Sequence, residues 1–228
     1  MKLNLIRRQP EAIGVESFIF KPEGELAWKP GQYLHYVLHH LPTDDRGSDR
    51  WFTVASAPYE GEVMITTRLA TEHSSTFKKK LFALKVGKYI EISEVEGDFI
   101  IEDPKKQLVF IAGGIGVTPF HSMLKEADHA GEKLDVILLY SNRDADIPYK
   151  KEFDGFAARN SNLKIHYIIN PERIDADAVK KFVPDITKPI FYVSGPEPMV
   201  NDLGDMLKEL GVEEARIKQD WFPGYPAE

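Results

Sequence analysis

The spacing of apolar and polar positions changes character near Asp103-Pro104. Before it, short runs alternate Val, Ile, Leu, Phe or Tyr with polar residues: Leu3 to Arg7, Val15 to Phe20, Gln32 to His39, Trp51 to Ala55, Glu62 to Thr67 and Tyr89 to Ser93. A period of two turns one face of each run toward a core, and several runs are bounded by Gly or Pro. The rhythm predicts an antiparallel barrel or sandwich, with one helix near Thr76 to Leu84. Beyond Asp103-Pro104, apolar runs at Leu108 to Ala112, Val136 to Tyr140, Leu163 to Ile169 and Ile190 to Val193 alternate with amphipathic stretches. Those stretches, Phe120 to Ala130, Tyr149 to Arg159, Ala176 to Phe182 and Pro198 to Leu210, have helical length, and Arg216 to Asp220 adds a last strand. Continuous apolar strands separated by helices predict a parallel α/β layer. The boundary falls within Glu102 to Lys106, giving domains over 1–102 and 103–228, and no internal repeat or low-complexity segment is seen.

The 228 residues are 43% hydrophobic, enough for ordinary packed cores. A net charge of -7 argues against general binding to nucleic acid or an anionic membrane surface. The chain has no cysteine, which excludes disulfides, thiolate-held zinc, cysteine nucleophiles and a cysteine-held iron-sulfur cluster on it. The seven histidines show no metal-ligand spacing, so no metal site is expected and any redox chemistry needs an organic cofactor. The start, Met1 to Arg8, lacks a signal-peptide apolar core, and no run of about 18 apolar residues occurs, so a cytoplasmic location without an integral membrane segment is expected.

The segment richest in chemical information is Gly113-Gly114-Ile115-Gly116-Val117-Thr118-Pro119, entered directly from the strand Leu108 to Ala112. It reads as strand, turn and helix start. Glycines let an anionic diphosphate approach backbone amides and permit positive φ, while Thr118 is expected to cap the helix and Pro119 to take its first position. Such a turn serves either a bound phosphate or a bare strand-to-helix connection. Two further segments lie at the same carboxyl edge of the expected parallel sheet, where open α/β sheets bind ligands. One is Ser141-Asn142-Arg143, suited to a ribose or its phosphate, or else a polar loop. The other is Ser194-Gly195-Pro196 with Met199, where Gly195 allows close backbone approach.

In the first domain, Arg50 and Phe52 share one face of a strand and Thr53 takes the other. A guanidinium suits a diphosphate, an aromatic ring suits stacking on a flavin, and a hydroxyl suits the flavin N5 edge; the plainer alternative is a barrel strand with a surface arginine. Thr66 and Arg68 end a strand, and Ser74-Ser75-Thr76 lead into the helix, either as a second anion site or as an ordinary helix cap. Lys78-Lys79-Lys80, with Lys85 and Lys88, form either a docking face for an acidic carrier or a solvated helix face. Asp220-Trp221-Phe222-Pro223-Gly224-Tyr225 brings three aromatics to the tail, as ring shield or core plug.

In this order, these segments resemble the ferredoxin-NADP reductase family of flavin-dependent oxidoreductases over nearly the whole chain. Arg50, Phe52 and Thr53 match its Arg-x-Tyr-Ser/Thr motif, with Phe in place of the usual Tyr. Ser74 to Thr76 match its pyrophosphate-binding helix start, Gly113 to Pro119 its dinucleotide loop, and Gly195, Pro196 and Met199 its Gly-Pro-x-x-Met segment. Ser194 stands where some members carry cysteine, and the tail resembles an acidic-x-aromatic element, with Phe222 over the flavin. The resemblance implies a six-stranded antiparallel flavin-binding barrel followed by a Rossmann-like NAD(P)-binding α/β domain. It implies electron flow from NADH or NADPH, through FAD rather than FMN, to an external acceptor: ferredoxin, flavodoxin, an oxygenase component or a small molecule. The flavin set is then Arg50, Phe52, Thr53, Thr66, Arg68, Ser74, Ser75, Thr76 and Phe222. The dinucleotide set is Gly113, Gly114, Ile115, Gly116, Thr118, Pro119, Ser141, Asn142, Arg143, Gly195, Pro196 and Met199. Thr53, Ser194 and Asp220 are the expected catalytic residues. Asn170, without a following Ser-Arg pair, leans the nicotinamide choice to NADH, against Arg143. A non-catalytic relay or regulatory flavoprotein subunit is the alternative.

Overall fold

The computed structural model describes residues 1–70 and 74–221, so the expected Phe222 contact lies outside the described residues. Two sheets carry the architecture. The first has six antiparallel strands, β1 (Lys2–Ala12), β2 (Val15–Pro22), β3 (Tyr33–Val37), β4 (Asp49–Thr53), β5 (Val63–Arg68) and β6 (Tyr89–Glu96), in the order β4-β3-β6-β1-β2-β5. It curls into a half-open barrel around Leu3, Leu5, Phe18, Phe20, Leu34, Tyr36, Phe52, Ile65 and Phe77. Just past the end of β4, the Ala55 N–H donates to the Met64 carbonyl at 2.9 Å, bringing the two outer strands together there. The helix α1 (Thr76–Phe82) plugs the barrel with Phe77 and Leu81.

Strand β4 begins two residues before the expected Trp51, because Val37 pairs with Asp49 and Tyr33 with Thr53. Val54 and Ala55 then leave the ladder for Gln32 and Met64. Strand β2 is buried on both faces. Phe18 and Phe20 enter the barrel, while Ile19 packs with Met64 and Ala55 into the core of the second sheet. Pleating dictates this sharing, since alternate residues leave opposite faces of a strand. The two halves are thus cemented by an apolar layer, joined by Phe99.

The second sheet is parallel: β7 (Leu108–Gly113), β8 (Val136–Asn142), β9 (Leu163–Ile169), β10 (Ile190–Ser194) and β11 (Ile217–Asp220), ordered β11-β10-β7-β8-β9. Leu108, Phe110 and Ala112 of β7 face one core, and Val109 and Ile111 face the other. Helices α2 (Thr118–Ala130) and α3 (Lys150–Arg159) cover the first face, and α4 (Ala176–Phe182) and α5 (Glu197–Glu209) cover the second. Chain order therefore reverses between β7 and β10, and beyond their carboxyl ends open α/β sheets have a ligand crevice.

Candidate functional site

At that crevice the two glycine turns meet face to face. Gly116 lies so close to the second turn that a Cβ there would overlap the Ser194 carbonyl oxygen and stand 2.5 Å from the Gly195 Cα. A Cβ on Gly113 would overlap the Met199 sulfur and stand 2.8 Å from its methyl group. The sequence suggests one purpose for these glycines, approach of a phosphate, but the structure divides the work. Gly116 is small so that two backbone segments can pack and Gly113 so that the Met199 side chain fits, while Gly114, at φ +52°, faces open space and is the position a ligand can approach.

Thr118 does not cap the helix as expected. A 3-10 turn over Gly114–Val117 intervenes, and the Thr118 hydroxyl turns back to donate to the Ile115 carbonyl at 3.1 Å. Thr118 is itself the first residue of α2, with Pro119 second, because the turn delivers the chain already in helical conformation. Ser141 pairs in register with Gly113, so the end of β8 adjoins the turn, and Pro196 is the residue entering α5.

Ser194 and Asp220 end the neighbouring strands β10 and β11 in direct register. Both are buried, and the Ser194 hydroxyl donates to Asp220 Oδ2 at 3.3 Å. Burial pushes the Asp220 carboxyl up to about 6; the nearby Asp98 charge adds to this and the Ser194 hydroxyl opposes it. A carboxyl so tuned exchanges a proton near neutrality. Across the domain junction, Asp220 acts electrostatically on Tyr33, and Tyr33 is the register partner of Thr53. Ser194, Asp220 and the two glycine turns therefore lie together at the carboxyl edge of the parallel sheet, with Tyr33 of the first sheet within electrostatic reach of Asp220.

Arg50 lies three residues from Thr53, about 10 Å along the strand. Around it the structure holds an anion that the sequence did not announce. The Asp44 carboxylate accepts the Thr76 backbone N–H at 2.8 Å, and its other oxygen stands 3.5 Å from the Arg50 guanidinium. Arg46 also pairs with Asp44 at 3.2 Å. Although partial burial opposes ionisation, the Thr76 and Arg46 amides and the two guanidinium charges hold the Asp44 carboxyl below its ordinary range. The signal that could have found it is the segment Asp44-Asp45-Arg46-Gly47, an Asx turn in which the Arg46 N–H returns to Asp44 Oδ1.

Each of the three hydroxyls at the start of α1 has a partner within the chain. Ser74 donates to the Ala70 carbonyl, Ser75 caps the helix by accepting from the Lys78 N–H, and Thr76 Oγ1 accepts from the Asp44 N–H. Phe52 keeps its place beside Arg50 on the strand, but its ring is spent in the barrel core, 5.8 Å from Tyr36 and 5.9 Å from Phe77. The reason is strand parity: the face that carries Phe52 is the apolar one.

Thr66 and Arg68 lie on the face of β5 turned toward the second sheet. The Thr66 hydroxyl bonds Ser17 at 2.6 Å and the Tyr149 hydroxyl, and the Arg68 charge reaches Tyr140 of β8. Thr67, one residue over and fully buried, has an Oγ with no hydrogen-bond partner among the described residues. Sequence reasoning passed over it. Tyr149 stacks on His121 at 3.9 Å, and His121 bridges the Ala55 carbonyl, at 2.7 Å, and Glu152, at 3.3 Å.

A half-open antiparallel barrel, a doubly wound parallel sheet and paired glycine turns at the carboxyl edge of that sheet define the architecture. Residues 110–205 match the family model of the oxidoreductase NAD-binding domain. The flavohemoprotein of Halalkalibacterium halodurans is 26% identical over 95% of this chain and 58% of its own length. The toluate 1,2-dioxygenase electron transfer component of Pseudomonas putida is 27% identical over 87% of this chain and 60% of its own. The chain thus spans less than two thirds of these curated relatives. The structure of the ferredoxin-NADP+ reductase from Plasmodium falciparum superposes with a TM-score of 0.83, at 16% identity, over 96% of this chain and 95% of that one. The fold of the chain is therefore that of the ferredoxin-NADP+ reductases. Among the described residues no helix is long and apolar enough to cross a membrane.

Proposed function

We propose that this chain is an NAD(P)H-dependent flavin reductase, with FAD held mainly by residues 1–102 and the nicotinamide dinucleotide by residues 103–228. The observation that carries the reading is the meeting of the paired glycine turns with the buried Ser194–Asp220 pair at one edge of the parallel sheet. The donor sets suit the cofactors. Arg50 and the Thr76 amide form a cradle that already accommodates an anionic carboxylate, and Gly114 leaves room at the other end. Thr67 offers a buried oxygen for a polar ligand atom. Bound FAD would supply the redox chemistry, taking a hydride from the nicotinamide and passing electrons on.

The protein's part is placement and proton handling. Arg50 pairs the flavin diphosphate, Thr53 donates at the N5 edge, and Gly114 admits the dinucleotide diphosphate. Ser194 orients the nicotinamide edge, and Asp220 holds or releases a proton through the Ser194 hydroxyl. The Asn170 N–H donates to the Asn142 carbonyl beside the β8 end, which supports a role for its side chain at a ribose hydroxyl, and we favour NADH. The electron transfer relative supports a protein acceptor such as an oxygenase component, with exposed Lys79, Lys80, Lys85 and Lys88 as a basic face for it.

The test is anaerobic titration of the FAD-reconstituted protein. Uptake of FAD, then bleaching of its absorbance by NADH faster than by NADPH, is expected. Failure to take up FAD would sink the reductase reading, and FAD uptake without bleaching by either dinucleotide would favour a regulatory flavoprotein.

A further inference from the structure

The loop between β3 and β4 does more than connect them. Between Leu38 and Ser48 it folds back so that Arg50, the proposed partner of the flavin diphosphate, is held by its own chain. One guanidinium nitrogen donates to the Arg46 carbonyl at 2.5 Å and also to the Asp49 carbonyl, and the other faces Asp44 Oδ1 at 3.5 Å. The loop is pinned in turn by reciprocal bonds between Asp44 and Thr76 and by the Gly47 N–H to the Asp44 carbonyl at 3.1 Å. A carboxylate and a diphosphate compete for the same donors, since both are compact anions recognised by a guanidinium and backbone amides. They cannot share them, because two like charges at one cradle repel.

We propose that Asp44 is an intramolecular competitor for the flavin diphosphate and sets the affinity of this chain for FAD. This rests on the reading that Arg50 receives that diphosphate. The Asp44 carboxylate occupies the cradle; a bound diphosphate would take over Arg50, and the loop carrying Asp44 and Arg46 would swing out. Part of the binding energy of the diphosphate is spent in opening the loop, so the observed affinity is reduced by the fraction of molecules already open. A flavin that lacks the diphosphate has no such competitor.

The experiment is a fluorescence titration of the flavin-free full chain with FAD and with riboflavin, in wild type, Asp44→Asn and Arg50→Gln. Asp44→Asn keeps the shape and the hydrogen-bond acceptor for Thr76 while removing the charge. It is expected to bind FAD at least tenfold more tightly than wild type and riboflavin equally well, whereas Arg50→Gln weakens FAD. If Arg50→Gln leaves FAD binding unchanged, the diphosphate lies elsewhere and both readings fall. If Arg50→Gln weakens FAD but Asp44→Asn leaves it unchanged or weaker, the competitor role alone is overturned. A measurement on wild type guards against a variant that fails to fold. Saturating FAD should speed hydrogen exchange at the amides of Asp44 and Gly47, and slower or unchanged exchange there would overturn the proposal.

Discussion

The hydroxyl of Ser194 donates to the carboxylate of Asp220 at 3.3 Å, joining the ends of two neighbouring parallel strands at the floor of the crevice. Burial dominates the titration of that carboxyl and raises it to about 6 from an ordinary 3.8. The folded state therefore binds the proton more tightly than the unfolded chain, and stability falls as pH rises from about 4 to about 6. Replacing Asp220 by Asn should remove this penalty. We expect Asp220→Asn to be more stable than wild type at pH 8, by roughly 1–3 kcal/mol, and the difference to vanish near pH 3. Thermal melts at the two pH values decide it; a gap independent of pH would contradict the assignment.

Gly116 and Gly114 sit two residues apart in one turn yet should fail differently. Gly116→Ala forces the turn away from Ser194 and Gly195, costing about 1–3 kcal/mol by overpacking. Gly114→Ala meets no atom within 4 Å and bears only the strain of its positive φ, about 1 kcal/mol. Melting temperatures should rank wild type above Gly114→Ala above Gly116→Ala. NADH binding should weaken more in Gly114→Ala than its small loss of stability explains, and the reverse ranking in either assay would count against the division of labour.

Glu152 carries the opposite pH sign from Asp220. Its hydrogen bond to His121 outweighs partial burial, and with Lys125 it holds the carboxyl down to about 2, against an ordinary 4.5. That stabilisation is complete above about pH 4.5 and is lost as pH falls toward 2. Because the side chain is 36% exposed, the contribution is discounted for screening to about 1 kcal/mol. Denaturant melts of Glu152→Gln should therefore show a deficit at pH 7 that shrinks by pH 3; a constant deficit would mean that charge is not the cause.

Tyr149 holds the second domain to the first. It adopts φ 61°, is 4% exposed, stacks on His121 and bonds Thr66. Tyr149→Phe leaves Ser17 and Thr66 bonded to each other, so about 1 kcal/mol of stability is expected to be lost. Tyr149→Ala empties the space beside His121 and Phe153 and should cost about 3–5 kcal/mol. Calorimetry of the two variants checks the ratio, and equal losses would show that the ring contributes nothing beyond its hydroxyl.

The order of strands and helices was readable because it depends on short-range periodicity. Six alternating runs became β1 to β6, and the apolar runs after Asp103 became β7 to β11. The Gly113 to Pro119 turn was readable for the same reason, since a strand ending in glycines ahead of a proline has few other local solutions. Less visible were the roles of Thr118, whose hydroxyl serves the preceding turn, and of Phe52, whose ring a barrel core claimed. Both outcomes depend on neighbours that arrive from elsewhere in the chain.

From local pattern alone, then, the amino-acid sequence determined which segments are strands, where the parallel layer begins and that glycine-rich turns lie at its carboxyl edge. Only the tertiary structure decided which groups share a site. It set Gly116 against Gly195, Ser194 beside Asp220 and Asp44 across from Arg50. Periodicity reports how each residue faces its own segment, whereas these pairings follow from sheet register, from the reversal of strand order between β7 and β10, and from a loop that folds back on its own strand. The lowered proton affinity of Asp44 exists only once the fold brings the Thr76 and Arg46 amides and two guanidinium groups to it, and the raised proton affinity of Asp220 only once the fold buries it.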